Sequence, residues 1–187
     1  MKIIGVVGQN GSGKDEVLKH LDKKYGVPFL ATGDIVREIV AKEGVTPTRE
    51  NLRVISERYF QQYGKGCFVK LLAEKIQQSG REVTGISGIR SLDDVMVLKD
   101  IFKEDFILVH VYVSDPRQRY ARMIKRGQAR DPQSYEQFLR QDRAEEELFH
   151  IKEAEEQANF HIANDGTLED LHREIDSLIA AKSLPVS

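Results

Sequence analysis

The sequence predicts an α/β protein, a three-layer α/β/α sandwich around a five-stranded parallel sheet. Short apolar, β-branched segments alternate along the chain with segments in which apolar residues recur every three or four positions. The segment 106–113 is nearly all apolar, which is typical of a strand that is covered on both faces. With 187 residues, 40% apolar and 31% charged, the chain suits one domain with a well-buried core.

The elements follow in order along the chain. The predicted strands are 3–7, 27–30, 83–86, 106–113 and 159–162. The clearest amphipathic helix is the last one, where Leu168, Leu171, Ile175 and Leu178 share a face behind a Thr167 N-cap. We divide the chain into a core (1–32, 80–115, 157–182), a helical insertion (33–79) and an arginine-rich segment (116–156).

Composition excludes several classes of protein. A net charge of −2 gives no general field for nucleic acid or anionic membranes, and no apolar stretch is long enough to span a bilayer. The single cysteine, Cys67, fits a reducing compartment, and the five histidines lack the spacing of metal ligands. We therefore expect a cytoplasmic protein with no nucleic-acid or membrane partner, either a monomer or a homo-oligomer.

The most informative motif follows the first strand directly. It reads Gly-Gln-Asn-Gly-Ser-Gly-Lys over residues 8–14, the pattern of a phosphate-binding loop (P-loop, or Walker A motif) between a strand and a helix. The glycines allow backbone N–H groups to approach a phosphate, and Lys14 can reach the β- and γ-phosphates of a nucleotide. The residues predicted to bind ATP in this loop are Gly8, Asn10, Gly11, Ser12, Gly13, Lys14 and Asp15.

Asp15 departs from the motif, which has Ser or Thr after the lysine to hold Mg²⁺. Its carboxylate either ligates Mg²⁺ itself or only caps the start of the helix.

Two further motifs follow predicted strands and supply arginines. Thr32-Gly33-Asp34 precedes Arg37 by one helical turn, and Asp34 suits an N-cap. Gly88-Ile89-Arg90 follows the strand 83–86, where an arginine can bind a phosphate bidentately. The plainer alternatives are a helix cap with a surface arginine, and an ion pair of Arg90 with Asp93 or Asp94.

The segment 116–156 contains a set of arginines at helical spacing. Arg119, Arg122 and Arg126 fall on one helix face, Arg130 follows in a turn, and Arg140 and Arg143 share a face of the next helix. Such a face is either solvated or belongs to a lid that closes over transferring phosphates.

Taken together, these motifs resemble nucleoside monophosphate kinases of the adenylate-kinase type, and in particular a mostly archaeal branch similar to adenylate kinase and dephospho-CoA kinase. The resemblance covers nearly the whole chain and implies one P-loop kinase domain over 1–187, with an acceptor-binding insertion and a short lid. It implies ATP and Mg²⁺ as cofactors and a small, nucleotide-like phosphate acceptor.

The resemblance also implies roles for individual residues. Thr32, Gly33, Asp34 and Arg37 match the monophosphate site, and Gly88 and Arg90 match a second acceptor-phosphate motif. Lys14, Arg122, Arg126 and Arg130 would act in catalysis, with Arg119, Arg140 and Arg143 as further lid residues. Asn164 lies in a segment similar to the one near the adenine of ATP in dephospho-CoA kinases.

The family usually has Asp before the glycine of the third motif, where this chain has Ser87. Both departures, Ser87 and Asp15, fall at positions that serve Mg²⁺. Three functions stay open: phosphoryl transfer to a nucleoside or deoxynucleoside monophosphate, which the Thr-Gly-Asp-x-x-Arg pattern favours; dephospho-CoA kinase; and a regulatory NTPase with weak turnover.

Overall fold

A parallel sheet forms the centre of the protein in a computed structural model, which describes residues 1–127, 131–182 and 184. Its strand order is β2-β3-β1-β4-β5, and every pairing between neighbours is parallel. The strands are β1 Lys2–Val7, β2 Phe29–Ala31, β3 Val83–Ser87, β4 Phe106–Tyr112 and β5 Phe160–Ala163. The predicted fold class is confirmed.

Helices cover the sheet on both faces because the strands alternate their side chains between two apolar clusters. Ile3 and Val7 of β1 pack in one cluster with α2, α4, α5 and α8, whereas Ile4 and Val6 pack in the other with α1 and α9. The helices are α1 Lys14–Tyr25, α2 Thr32–Lys42, α3 Arg49–Tyr63, α4 Cys67–Ser79, α5 Leu92–Phe102, α6 Pro116–Arg126, α7 Tyr135–Phe149, α8 Ile151–Glu155 and α9 Leu168–Lys182.

All five strands differ from the prediction by one or two residues at an end, and two of these differences have local reasons. The apolar Val27 does not start β2. It follows the left-handed Gly26 that ends α1, and its N–H donates to the Leu21 carbonyl, so it closes the helix. Asn159 precedes β5 rather than belonging to it; its side-chain Oδ1 accepts a hydrogen bond from the Leu108 N–H at 2.8 Å.

The loops that carry the predicted motifs meet at one edge of the sheet. β1 ends at Val7 and β3 at Ser87, and Ala31 at the end of β2 pairs with Ser87. Since all strands run in the same direction, the segments after β1, β2 and β3 emerge side by side. Within the described residues, no helix is both long and apolar enough to cross a bilayer.

Candidate functional site

An open cleft of about 1300 Å³ lies at this edge of the sheet. The P-loop forms its floor on one side, and α2 and α3 form the wall on the other. The loop after β3, helix α6 and the C-terminal half of α7 close it from above. Of the predicted site residues, those lining the cleft are Gly8, Asn10, Gly11, Gly13, Lys14, Asp15, Thr32, Gly33, Arg37, Gly88, Arg90, Arg122, Arg126 and Asn164.

The P-loop has backbone angles that only glycine adopts easily. Gly11 and Gly13 have φ of 80° and 98°, and Gly8 has φ of 152°. A Cβ at Gly13 would lie 2.2 Å from Nδ2 of Asn164, and one at Gly8 would lie 2.3 Å from the Val111 carbonyl oxygen. The loop is therefore too tightly packed on its outer side to accept any side chain at these two positions.

Side chains from outside the P-loop bind its carbonyl groups. Arg119 donates from Nη1 to the Asn10 oxygen at 3.2 Å, and Asn164 donates from Nδ2 to the Ser12 oxygen at 2.8 Å. The Ser12 side chain is 0% exposed, and its Oγ has no hydrogen-bond partner within the described part of the chain. The structure therefore places this predicted ATP-binding side chain inside the packed loop, outside the lining of the cleft.

Lys14 begins helix α1 and lines the cleft. Its Nζ donates to the Gln9 carbonyl at 3.3 Å. Burial lowers the pKa of the Lys14 ammonium, the carboxylates of Asp15 and Glu145 oppose that shift, and the guanidinium groups of Arg90 and Arg126 reinforce it. Two predicted arginines and one carboxylate that was not predicted are thus within electrostatic reach of the P-loop lysine.

The chemistry of Asp15 fits a magnesium ion. The side chain is exposed at the start of α1, lines the cleft and has no hydrogen bond or ion pair among the described residues. A carboxylate oxygen is the hard ligand that Mg²⁺ prefers. No group of three or more His, Cys, Asp or Glu side chains in residues 1–127, 131–182 and 184 could hold a metal by itself. A metal here would need the phosphate oxygens of a nucleotide as well, which is usual for Mg²⁺.

The two acceptor motifs contact each other. Thr32 donates from Oγ1 to the Gly88 carbonyl at 3.1 Å, and a Cβ on Gly88, which has φ of 86°, would lie 2.2 Å from the same hydroxyl. Helix α2 begins at Thr32, so Asp34 lies in its first turn and the prediction that it is the N-cap is wrong. Asp34 instead forms an exposed ion pair with Arg37.

The side chain of Arg90 does not form the ion pair considered as an alternative. Its backbone N–H, not its guanidinium, donates to Asp94 at 3.0 Å, as part of the capping box that begins α5. The guanidinium lies 5.4 Å from the centre of the Phe149 ring, at the C-terminal end of α7. Arg90 therefore lines the cleft, and no described residue forms a hydrogen bond with its guanidinium.

The predicted lid arginines have three different environments. Arg119 is only 3% exposed and forms a bidentate ion pair with Asp142, both bonds 2.7 Å, so it braces the P-loop against α7. Arg122 donates from Nη2 to the Asn164 carbonyl at 2.7 Å, and Arg126 donates to Asp131. Both of these line the cleft.

Two of the remaining lid arginines do not join the site. Arg140 and Arg143 are exposed on α7 and do not line the cleft. Arg130 lies outside the described residues. Their predicted lid roles stay predictions.

Several cleft residues were not predicted from the sequence. Phe149 and Glu145 come from α7, and Arg53 and Lys65 come from the insertion. The spacing of Asp142 and Glu145, three residues apart, places both on the helix face that looks toward the P-loop, and that spacing is a signal the sequence contains.

Comparisons with known proteins agree with this geometry. A family model described as "AAA domain" matches residues 7–139. The UPF0200 protein of Thermococcus kodakarensis is 36% identical over 179 residues, which cover 95% of this chain and 96% of that protein. The UPF0200 protein of Methanosarcina mazei is 29% identical over 181 residues, 96% of this chain and 95% of that protein.

Solved structures match over nearly the whole chain at low identity, which bears on the fold alone. Shikimate kinase from Acinetobacter baumannii, in complex with shikimate, has a TM-score of 0.60 and 21% identity, covering 98% of this chain and 96% of its own. A gluconokinase from Sinorhizobium meliloti has a TM-score of 0.59 and 15% identity, with 97% and 93% covered.

These matches are coarser than the resemblance inferred from the motifs. They confirm the P-loop kinase fold and the archaeal relatives, whereas the adenylate-kinase type stays part of the proposal below. Because the family model matches residues 7–139 and the UPF0200 relative matches 95% of the chain, the chain belongs to the AAA-domain family and to the UPF0200 proteins.

Proposed function

We propose that this protein transfers the γ-phosphoryl group of ATP to a nucleoside or deoxynucleoside monophosphate. One observation carries the proposal: Lys14 on the P-loop lies within electrostatic reach of Arg90 and Arg126, which come from different elements around the cleft. Phosphoryl transfer needs the donor and acceptor held in line and the charge on the transferring group neutralised. Three cations converging from separate elements are suited to that task.

In this proposal the chain's own residues divide the work. The backbone N–H groups of the P-loop and Lys14 hold the β- and γ-phosphates of ATP. Arg37 and Arg90 hold the acceptor's phosphate, and Arg37 must exchange Asp34 for it. An acceptor phosphate oxygen then forms a bond to the γ-phosphorus as the bond to the leaving ADP oxygen breaks, while Arg122 and Arg126 stabilise the transferring charge.

Magnesium, when bound, would neutralise charge on the β- and γ-phosphates, and Asp15 is the residue that would hold it. A monophosphate acceptor attacks with an oxygen that is already anionic, so this reaction needs no general base.

The test is coupled ADP production with a panel of acceptors. We expect ADP release that depends on one or a few nucleoside monophosphates and that falls when Arg90→Ala raises the acceptor KM. Arg81→Ala is the matched control, since Arg81 is exposed and does not line the cleft.

The panel also includes dephospho-CoA, shikimate and gluconate. The first is the alternative acceptor from the sequence, and the others are named by the structural neighbours. Turnover with one of these hydroxyl acceptors alone would replace the monophosphate proposal. Slow ADP release that is indifferent to every acceptor would indicate a regulatory NTPase.

A further inference from the structure

Two carboxylates in the cleft differ from the others in having no hydrogen-bond or ion-pair partner among the described residues. Among the described residues, Asp15 and Glu145 line the cleft without a hydrogen bond or an ion pair. The other lining carboxylates are all engaged: Glu16 with Lys19, Glu57 with Arg53, and Asp94 with the N–H groups of Arg90 and Ser91. Two unpaired negative charges thus face the place where phosphates are proposed to bind.

Glu145 is held in this position by the best-buried ion pair of the site. Asp142 lies three residues earlier on the same face of α7, and it binds Arg119 bidentately. Arg119 in turn donates to the Asn10 carbonyl of the P-loop. Helix α7 is therefore fixed to the loop one turn before Glu145, whose side chain lines the same cleft as Lys14 and Asp15.

Each of these carboxylates weakens the attraction that Lys14 and the arginines exert on an anionic nucleotide. The triphosphate chain and both side chains carry negative charge, and at close range in a partly desolvated cleft such repulsion costs several-fold in affinity. A divalent cation between them reverses the sign of the interaction, since Mg²⁺ accepts carboxylate and phosphate oxygens together.

We infer that Glu145 of α7 is the second carboxylate of the Mg²⁺–nucleotide site, opposite Asp15 on α1. The inference rests on the nucleotide binding proposed above, and it assigns a role to a residue that the motifs do not contain.

The test measures binding rather than turnover, with Mn²⁺ as the probe for Mg²⁺. Free Mn²⁺ is followed by electron paramagnetic resonance in the presence of protein and ATP, and the affinity for ATP without metal is measured by calorimetry in EDTA. We expect Glu145→Gln to weaken Mn²⁺ binding to the protein–ATP complex about tenfold or more. The same variant should bind metal-free ATP more tightly than the wild type, because one repulsive charge is gone.

Weaker Mn²⁺ binding together with tighter binding of metal-free ATP is expected only if Glu145 is a ligand of the metal. Glu147→Gln, on an exposed position of the same helix outside the cleft, should change neither affinity. Glu145→Asp keeps the charge and should retain much of the Mn²⁺ affinity, which guards against a folding defect in the glutamine variant.

Two results would overturn the inference and leave the proposed function standing. In the first, Glu145→Gln tightens ATP binding equally with and without Mn²⁺, so that the carboxylate only repels the nucleotide. In the second, the variant changes neither affinity. If the wild type binds no ATP under any condition, the proposed function fails, and the inference fails with it.

Discussion

The two sides of the cleft are both rich in cations, but the protein holds those cations in opposite ways. On the donor side, Arg119 is 3% exposed and bound to Asp142 and to a P-loop carbonyl. On the acceptor side, Arg37 pairs with Asp34 in a bridge whose two side chains are each 55% exposed. Buried pairs fix a structure, whereas exposed pairs exchange partners at little cost. The donor side is thus held rigidly by a buried ion pair. On the acceptor side the ion pair is exposed, so an incoming anion can replace the carboxylate.

The largest expected effect is on the stability of the donor side. Arg119→Ala leaves the Asp142 carboxylate partly buried without its partner, and we expect the free energy of unfolding to fall by about 3 kcal/mol. Denaturant unfolding of both proteins measures this. The double variant Arg119→Met, Asp142→Leu removes both charges and should recover most of the loss. An Arg119→Ala protein as stable as the wild type would show that the brace is not what holds the loop.

The next effect is on turnover. Lys14→Ala removes the cation at the centre of the site, and we expect the rate of ADP production to fall by a factor of about 10² to 10³. Lys19→Ala is the matched control, because Lys19 also lines the cleft but pairs with Glu16 on the surface of α1. Equal losses in the two variants would mean that the cleft attracts nucleotide only through its general charge.

A difference between local and long-range contacts explains which features could be predicted from the sequence. The P-loop could be predicted in detail because its glycines, its lysine and the preceding strand are contiguous, and local chemistry determines their conformation. The five strands could be predicted because each is a short apolar segment; only the ends shifted, as at Val27, where closing a helix took precedence over starting a strand.

The roles of the arginines in the segment 116–156 could not be predicted from local sequence. Helical spacing places Arg119, Arg122 and Arg126 on one face but does not say which of them meets a carboxylate. Asp142, which engages Arg119, lies 23 residues away, on another helix. The role of an arginine depends on the charge it meets across the fold, and a single sequence does not contain that pairing. For the same reason no role for Glu145 could be predicted from the sequence.

On the acceptor side we expect a small effect on stability and a clear one on binding. Arg37→Ala should change the free energy of unfolding by less than about 1 kcal/mol, since both partners of its bridge are largely exposed. The same variant should raise the acceptor KM while leaving the affinity for ATP unchanged. Steady-state kinetics at saturating ATP, together with a denaturant curve, measures the two effects. A loss of ATP affinity would instead show that Arg37 contributes to the donor side. The proposed difference between the two sides of the cleft would then be wrong.

The smallest effect concerns the first turn of α9, which follows Asn164 in the chain, and it appears only in acid. Hydrogen bonds from the Thr167 hydroxyl and N–H, with Arg173 beside them, lower the pKa of Asp170 to about 2. Because this carboxyl is more acidic in the folded state than in the unfolded state, its stabilising contribution is complete above its ordinary pKa and is lost as the pH falls toward 2.

Carboxyl chemical shifts followed by NMR should therefore give Asp170 a midpoint near 2. Thr167→Ala removes the hydroxyl, which is the largest cause of the shift, and should raise that midpoint more than Arg173→Ala does. If the arginine variant had the larger effect, the first turn of α9 would be held by an exposed ion pair. In that case the donor side would contain an exposed ion pair of the same kind as the Arg37–Asp34 pair on the acceptor side.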